Sequence, residues 1–364
     1  MKNKLKIYIY AICKNEEQFV DRWVNSIKDA DGIYVLDTGS TDQSVYKLKA
    51  RGVNVFEKII SPWRFDIARN LSLALVPGDA DVCICLDLDE VMEKNWREKI
   101  EKLWTKDLTR LRYIYNWYID EFNVPQITYY AEKIHCRNNF HWAYPVHEIL
   151  IYDGVEKQKF TDDLQIFHYP DRNKSRSSYL PLLELAVQEN PENDRNVHYL
   201  GREYMYYEKW NEAIDMLIKH LNLKSATWKE ERSASMRFIA RCYNNLNRLD
   251  EAELWLKKAI EETPHLKDPL VEMTLLKYQQ KDWLKTIEYG LQALKITKND
   301  NKYINEIYSW NETVNDILSI AYYNINNFNE AIKNAKIALS INPNNERIKN
   351  NLKLFQKKEN DSSI

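Results

Sequence analysis

The N-terminal half of the chain alternates continuous apolar runs with stretches of helical periodicity, and this alternation constrains the fold more than any other feature. In chain order, the runs and the helical stretches between them span 7–13, 16–28, 32–38, 42–51, 54–59, 65–75 and 81–87. Continuous apolar strands that are joined by amphipathic helices form parallel sheets covered on both faces. The sequence therefore predicts an α/β domain built on a doubly wound parallel sheet.

Polar residues cluster directly after three of these strands. The clusters are "KNEE" (14–17), "DTGSTD" (37–42) and "DLDE" (87–90). Ligands of such sheets bind at the carboxyl ends of the strands. Three clusters at consecutive strand ends predict a binding site at that edge, and Gly39 permits the tight turn in the second cluster.

The third cluster sets three carboxylates, Asp87, Asp89 and Glu90, behind a buried strand. Like charges this close require a positive partner if they are buried. Asp87 and Asp89 would share one face of an extended chain, and hard divalent cations prefer carboxylate oxygens. The cluster therefore predicts a cation site, against the alternative of a solvated acidic turn.

After residue 175 the strand pattern disappears and four similar segments follow. Each has a large apolar residue three positions before a small one, and the small residues are Ala213, Ala252, Thr286 and Ala331. Their spacings of 39, 34 and 45 residues, with the motif "LGREY" ahead of the first, resemble the tetratricopeptide repeat. An irregular helical bundle is the alternative. Repeats of this kind form a concave surface that binds peptides. The residues predicted to line this surface are Tyr204, Tyr207, Arg241, Tyr243 and Tyr322.

Composition excludes several classes of partner. The 364 residues carry a net charge of −2, which gives no overall attraction to nucleic acid or to an anionic membrane. No apolar stretch approaches the roughly 18 residues of a transmembrane helix, and the first apolar run favours a strand over a signal peptide.

The five cysteines form no C-x-x-C motif, which indicates free thiols and a cytoplasmic location.

Residues 5–170 resemble the family 2 glycosyltransferases. The motifs that carry the resemblance are, in order, "AICKNEEQFVDRWVNSI", "GIYVLDTGSTDQS", "WRFDIARNLSLAL" and "CLDLDE". The stretches "FHWAYPVHE" and "IFHYP", followed by repeats, resemble bacterial members that include enzymes glycosylating cysteine on small peptides. The resemblance implies a Rossmann-like GT-A domain at 1–172 and repeats at 173–356, and we expect a disordered tail at 357–364.

The resemblance also implies roles for individual residues. Asp89 and His168 would bind Mn²⁺ or Mg²⁺, and Asp87 would contact either the ribose or the metal. Asp66 and Arg69 lie on one face of a predicted helix and would approach the base and the diphosphate of the donor, unless they form only a surface ion pair. The nucleotide, for which UDP is favoured, would be bound by Ala11, Asn15, Glu16 and Asp37, with Asp37 accepting a hydrogen bond from uracil.

The acceptor side is predicted from the segment "FHWAYPVHEIL" (140–150). Glu148 is the predicted catalytic base and His147 the second candidate, with Asp120 and Glu121 after them; the alternative is that this segment only packs on the nucleotide loops. A zinc site at His135, Cys136, His141 and His147 matches no standard spacing.

These inferences predict an inverting hexosyl- or N-acetylhexosaminyltransferase that acts on a protein or peptide side chain. Its metal would neutralise the leaving diphosphate, so no general acid is required. Two alternatives remain: transfer to a surface polysaccharide or glycan, and a non-catalytic repeat scaffold. A nucleotidyltransferase is disfavoured because "CKNEE" lacks a glycine-rich, basic phosphate loop. The repeats also offer a surface for homo-oligomer formation.

Overall fold

The computed structural model describes residues 4–171, 177–298, 303 and 305–362, and it divides the chain into two compact units, Met1–Gln188 and Glu189–Ile364. The predicted boundary between residues 172 and 173 lies outside the described residues. The observed division comes later in the chain because a helix beginning at Tyr179 belongs with the first unit. The Tyr179 ring contacts the rings of Phe65 and His147 edge-on, at centroid distances of 6.1 and 5.6 Å.

The first unit contains ten strands and five helices among its described residues. In chain order they are β1 (Ile7–Cys13), α1 (Val20–Ser26), β2 (Gly32–Asp37), α2 (Ser44–Ala50), β3 (Asn54–Glu57), α3 (Phe65–Ala74), β4 (Val82–Cys85), β5 (Glu90–Met92), α4 (Trp96–Leu103), β6 (Arg110–Ile119), β7 (Pro125–His135), β8 (Phe140–Ala143), β9 (Ile149–Tyr152), β10 (Gln158–His168) and α5 (Tyr179–Glu189). The alternation predicted for residues 7–87 is therefore confirmed.

Eight strands form one sheet in the order β3-β2-β1-β4-β7-β6-β10-β5, and β8 pairs with β9 separately. The first four strands are parallel, as predicted. Beyond β4 the sheet is mixed, because β7 runs antiparallel to both of its neighbours. The cause is local: β6 and β7 are consecutive and joined by a short hairpin, which requires antiparallel pairing.

The two central parallel strands, β1 and β4, are covered on both faces, which is why they are continuously apolar. Along β1, Ile7 and Ile9 belong to the core that also contains Trp23, whereas Tyr10 packs on the other face with Trp142. The strand β4 is buried along its whole length. The chain that leaves β4 therefore carries Asp87 out of a dry interior and into the edge where the other strand-end loops lie.

The second unit consists of helices α6 (Asp194–Tyr206), α7 (Trp210–Asn222), α8 (Lys229–Asn245), α9 (Leu249–Glu262), α10 (Asp268–Gln279), α11 (Trp283–Lys295), a 3₁₀ turn (Ile307–Ser309), α12 (Thr313–Asn324), α13 (Phe328–Ile341) and α14 (Glu346–Ser362). The four predicted small residues are all buried, as helix-pair packing requires. Gly201 approaches its neighbouring helix so closely that an added Cβ would lie 2.6 Å from the Leu217 side chain. Helical repeats are thus confirmed.

Two expectations for this unit are wrong. The predicted tail at 357–364 is helical as far as Ser362, while 363–364 lie outside the described residues. The helix is anchored because Phe355 is buried and its ring stacks on Tyr323 at 4.8 Å. Among the predicted groove residues, Tyr322 is buried in the core, so it is not available to a peptide.

Cysteine pairing agrees with the expectation from the sequence. All five cysteines lie at described positions, and none forms a disulfide. Of the helices described, none combines the length and the apolar character needed to cross a membrane.

Candidate active site

The loops after β1 and β2 are bound to each other by hydrogen bonds. The backbone N–H of Asn15 donates to Ser40 Oγ at 2.8 Å, and Asn15 Oδ1 accepts from the N–H of Thr41 at 2.7 Å. One residue further on, the N–H of Glu16 donates to Ser44 Oγ at 2.7 Å. The structure therefore brings together the predicted residues Asn15, Glu16 and Asp37 in one polar cluster, in which Glu16 and Asp37 are buried, and the buried Ala11 lies two positions before the end of β1.

Asp37 organises the second loop. Its Oδ1 accepts from the N–H groups of Gly39 and Ser40, each at 2.9 Å, and its Oδ2 accepts from the Ser40 hydroxyl. Gly39 has a φ of 108°, a conformation that favours glycine. Asp37 thus has a structural role in this loop, and the base contact that the resemblance implies stays a prediction.

Arg69 and Lys133 are the positive partners that the acidic cluster requires. Both terminal nitrogens of Arg69 donate to Asp87, one of them at 3.0 Å, and Lys133 Nζ donates to Asp87 Oδ2 at 2.8 Å. Burial alone would raise the pKa of Asp87, but the charges of Arg69 and Lys133 outweigh it and hold that pKa well below its ordinary value. Asp87 is therefore a half-buried carboxylate with two cationic partners.

Glu90 shares the second of these cations. Its Oε1 accepts from Lys133 Nζ and from the Tyr115 hydroxyl, both at 2.8 Å, while its Oε2 accepts from the N–H of Asp87 at 2.9 Å. Burial, with the nearby charges of Asp87 and Asp89, raises the pKa of Glu90 despite Lys133. These hydrogen bonds link the loop after β4 to β6 and β7 through Glu90.

Sequence reasoning missed Lys133. It lies in β7, where the pairing with β6 shifts register between Leu111–Ile134 and Tyr113–Ala131. Two residues of β7, Glu132 and Lys133, there face one residue of β6, which is a β-bulge. Bulges commonly re-aim a side chain beside a functional site. The signal in the sequence was a lysine inside the otherwise aromatic and apolar run "TYYAEKIH".

Asp89 and His168 form the second half of the predicted metal set. Nε2 of His168 lies 3.3 Å from Asp89 Oδ2, and its Nδ1 is hydrogen-bonded to the carbonyl oxygen of Trp117 at 3.1 Å. Burial would lower the pKa of His168, but the hydrogen bond and charge of Asp89 raise it. The His168 ring also stacks on Tyr115 at 5.9 Å. An imidazole nitrogen and a carboxylate oxygen thus face each other at the carboxyl edge of the sheet.

This pair fits a divalent cation, whereas Asp87 does not complete it as a third ligand. Among the described residues, one group of three potential metal ligands has its ligand atoms close enough to hold an ion. That group lies in the second unit and does not include Asp87. Asp87 is instead engaged by Arg69 and Lys133. Of the two roles that the sequence leaves open for Asp87, direct metal binding is therefore the less favoured.

Arg69 and Asp66 do not pair with each other. Asp66 accepts from Arg64 through both oxygens, at 3.0 and 2.8 Å. Arg69, only 6% exposed at its side chain, turns inward to Asp87 and also donates from Nη1 to Cys85 Sγ at 3.2 Å. The alternative of a surface ion pair is therefore wrong, because both side chains are buried and each has another partner.

The segment after β8 contributes Glu148, which lies against the same arginine. Nε of Arg69 donates to Glu148 Oε1 at 3.0 Å. His147 has a φ of 50°, and its ring packs edge-on against Tyr179. The structure thus brings Glu148, the predicted base, into the cluster with Asp87.

Asp120 lies in the β6–β7 hairpin and organises its turn. It accepts from the N–H groups of Phe122 and Val124 at 2.9 and 2.8 Å. The hydrogen bond from Val124 is the main cause of its lowered pKa. Both Asp120 and Glu121 are at this exposed turn, so Asp120 acts as a turn residue and Glu121 has no described link to the cluster.

The disfavoured zinc set is not assembled. His135 Nδ1 lies 2.7 Å from the carbonyl oxygen of Cys136, so this nitrogen carries the proton, and Nε2 accepts from the Tyr10 hydroxyl at 2.9 Å. The Tyr10 oxygen in turn accepts from Trp142 Nε1 at 3.0 Å. His135 is thus a core histidine with both nitrogens satisfied.

Comparison with known proteins agrees with this architecture. Residues 8–147 match the family model described as glycosyl transferase family 2. Residues 238–265 match a tetratricopeptide repeat model, and residues 266–359 match the prolyl 4-hydroxylase peptide-substrate-binding domain. The crystal structure of MamA shares 18% identity over 49% of this chain and 99% of that chain, at a TM-score of 0.39, which is too low to bear on the fold.

Two curated relatives align over 70% of this chain. The SPbeta prophage-derived glycosyltransferase SunS of Bacillus subtilis is 25% identical over 265 residues, and the alignment spans 62% of its length. An uncharacterized glycosyltransferase of Rickettsia typhi is 23% identical over 261 residues, which is 76% of its length. The chain therefore combines an N-terminal domain of glycosyltransferase family 2 with C-terminal tetratricopeptide-like repeats.

Proposed function

We propose that this protein is a metal-dependent, inverting glycosyltransferase that moves a hexose or N-acetylhexosamine from a UDP-sugar to a protein or peptide side chain. The observation that carries the proposal is the pair formed by Asp89 and His168, 3.3 Å apart at the carboxyl edge of the sheet. Asp89 lies within residues 8–147, which match glycosyltransferase family 2, and Arg69 and Lys133 are bound to the same acidic loop.

Asp89 and His168 would hold the metal. A carboxylate oxygen with an imidazole nitrogen suits Mn²⁺ well, and Mg²⁺ less well because it prefers oxygen ligands. When bound, Mn²⁺ or Mg²⁺ supplies Lewis-acid stabilisation of the charge on the departing diphosphate. The hydrogen bond from His168 Nδ1 to the Trp117 carbonyl leaves Nε2 as the ligating nitrogen.

Arg69 and Lys133 would carry the remaining diphosphate charge. Because the forked donors of Arg69 are bound to Asp87, the guanidinium and the lysine beside it would act on the diphosphate as nearby positive charges. In the described structure both bind Asp87. Asp87 would then hold the two cations in position, and of its two predicted roles we assign to it the contact to ribose.

The loops after β1 and β2, which are hydrogen-bonded to each other, would bind the nucleoside. Asn15 and Glu16 would flank the ribose, and the backbone near Ala11 would pass beside the base. Asp37 would accept from the N3–H of uracil through the lone pairs that its loop bonds leave over. Asp66, held by Arg64, would lie at the edge of the base.

Glu148 would take the proton from the attacking hydroxyl or thiol of the acceptor. Its salt bridge to Arg69 fixes the position of the carboxylate next to the donor side of the site, and a positioned base is what a single in-line displacement requires. His147, the adjacent residue, is the second candidate. A protein or peptide side chain then attacks the anomeric carbon opposite the leaving diphosphate, which inverts its configuration.

The acceptor assignment rests on the repeats. Residues 266–359 match a domain described as peptide-substrate-binding in prolyl 4-hydroxylase, and the alignment with SunS covers 70% of this chain. The second unit has a cavity of about 320 Å³ lined by Arg241, Asn244, Glu272 and Tyr308 among others. Arginine and tyrosine are among the residue types that contribute most to binding energy at protein interfaces.

The test is a panel of UDP- and GDP-sugars incubated with the full chain and Mn²⁺, with release of nucleoside diphosphate as the readout. We expect release from at least one UDP-sugar, tighter calorimetric binding of UDP than of GDP, and loss of activity in EDTA that added Mn²⁺ restores. Equal binding of the two nucleotides would reject the uridine assignment, and full activity in EDTA would reject the metal.

Matched aspartate variants sharpen this test. Asp89→Asn removes the proposed ligand charge and should lower the rate by at least about 100-fold, because the metal contributes several kcal/mol to the transition state. Asp79→Asn is the control. Asp79 is exposed and forms an ion pair with Lys6, the residue that precedes β1. Transfer to a polysaccharide but not to any polypeptide would favour the glycan alternative.

A further inference from the structure

Three helix ends of the second unit bring one histidine and two carboxylates to a single point. Asp194 is the first residue of α6, His220 lies in the last turn of α7, and Glu231 lies in the first turn of α8. One ligand atom from each of these side chains lies within 4.8 Å of the other two. The residues are far apart in sequence, so the repeat fold itself creates this cluster.

The spacing inside the cluster suits a small divalent ion. His220 Nε2 lies 3.4 Å from Glu231 Oε1. Two ligand atoms that are each about 2.1 Å from a tetrahedral Zn²⁺ ion are about 3.4 Å apart. His220 and Glu231 are buried, while Asp194 is partly exposed, so the cluster opens to solvent on one side. Three protein ligands with an open fourth position is an arrangement that zinc accepts.

The nitrogen that would face the ion is otherwise unsatisfied. His220 Nε2 is buried and makes no hydrogen bond within the part of the chain that the structure describes. A buried polar atom without a hydrogen bond destabilises the folded state, and a bound ion would remove that penalty. Over the same described residues, Asp194 makes no hydrogen bond or ion pair of its side chain, and Glu231 has its ion pair with His220 alone.

The other nitrogen of His220 is held as ligand histidines usually are. Its Nδ1 is hydrogen-bonded to Ser235 Oγ at 2.9 Å, and that hydroxyl is bonded to His198 Nδ1 at 2.7 Å. His198 Nε2 continues the chain to the Tyr303 hydroxyl at 2.9 Å. When His220 Nδ1 donates to Ser235, the lone pair of Nε2 points at the carboxylates. An outer hydrogen bond of this kind fixes the tautomer of a metal-binding histidine.

Helix dipoles give a competing explanation for each residue but not for their convergence. Acids in the first turn of α6 and α8, and a histidine in the last turn of α7, are each favourable for their own helix. Nothing in that effect requires the three side chains to meet. A proton shared by His220 and Glu231 would account for two of them and leave Asp194 without a role.

We infer that Asp194, His220 and Glu231 form a zinc-binding site in the repeat unit, separate from the proposed active-site metal. The ion joins the ends of α6, α7 and α8, and it satisfies His220 Nε2 and both carboxylates at once. The fourth position is open to water or to a ligand atom of a bound partner.

The test uses the full chain carrying Asp89→Asn, so that the proposed active-site metal does not contribute. After removal of metal and exposure to Zn²⁺, mass spectrometry of the metal content should find about one equivalent of zinc per chain. Adding His220→Gln should remove that equivalent. Co²⁺, used as a spectroscopic probe, should give the intense visible bands of a tetrahedral site in the first protein and not in the second.

His265→Gln is the matched control. His265 also faces an acid, with Nε2 3.5 Å from Glu230 Oε1, but it is half exposed and lies outside the three-residue cluster. Zinc should stay bound in this variant. If His220→Gln fails to fold by circular dichroism, Glu231→Gln, which keeps the shape of the side chain, decides in its place. Absence of zinc from the Asp89→Asn protein, or retention of it after the cluster substitution, overturns the inference.

Discussion

One guanidinium group joins Asp87 to Glu148. Arg69 donates from its terminal nitrogens to Asp87 and from Nε to Glu148 Oε1 at 3.0 Å. The two carboxylates come from segments 61 positions apart, one after β4 and the other after β8. The residue proposed to order the donor side is therefore fixed relative to the proposed base by a single side chain on α3.

Arg69→Lys should lower the rate of transfer by about 10- to 100-fold. Lysine keeps the charge but cannot make three directed hydrogen bonds to two carboxylates, and hydrogen bonds to charged groups are worth about 1.5–3 kcal/mol each. The measurement is kcat with a saturating donor, with circular dichroism to check the fold. A lysine variant as active as the wild type would show that the forked geometry is not needed.

Lys133→Met should destabilise the N-terminal unit by about 3 kcal/mol or more. The substitution leaves Asp87 and the buried Glu90 without their shared cation, and removing one partner from a buried ion pair is strongly destabilising. Denaturant unfolding measures the change. Lys157→Met is the control, because Lys157 forms an exposed pair with Asp107 at 3.0 Å and such pairs contribute about 1 kcal/mol or less. Equal effects of the two substitutions would contradict the assignment.

The charge network shows what the sequence reveals and what it does not. The loops after β1, β2 and β4 were predictable because short-range patterns mark both the strand and its polar end. Lys133 was not, because it reaches Asp87 from β7 across 46 positions, and the bulge that aims it depends on strand pairing. Likewise, helical spacing places Asp66 and Arg69 on one face of α3. Their partners depend on tertiary packing, which pairs Asp66 with Arg64 and Arg69 with Asp87.

His135 should make the stability of the N-terminal unit depend on pH. Burial lowers its pKa from 6.5 to about 3. As pH falls below about 6.5, His135 is protonated in the unfolded chain but stays neutral in the folded chain. Its contribution to the free energy of unfolding is therefore fully present above that pH and is lost as pH falls toward 3. Between those limits one such histidine changes the free energy of unfolding by about 1.4 kcal/mol per pH unit.

Hydrogen exchange of the β4 amides at about pH 7 and about pH 5 measures this dependence. His135→Gln should reduce the difference between the two pH values, whatever its effect on stability at neutral pH. An unchanged difference would show that other groups cause the acid sensitivity of the unit.

Removal of the second unit should separate donor chemistry from acceptor recognition. A chain ending at residue 188 retains the whole first unit, and UDP binding together with circular dichroism checks that it folds. We expect it to hydrolyse the donor slowly to water while losing transfer to the polypeptide acceptor. If it glycosylates that acceptor as well as the full chain does, the repeats are not the acceptor site.

The hydrogen bonds between the loops after β1 and β2 have a consequence for how a nucleotide is selected. Asn15, Ser40 and Thr41 are already ordered by one another, so their conformational entropy is lost on folding and not again on binding. Preorganised loops of this kind raise affinity for a base that fits them. The same loops do not rearrange to accept a base that does not fit them. Selectivity between nucleotides is therefore determined by the fold before any nucleotide binds.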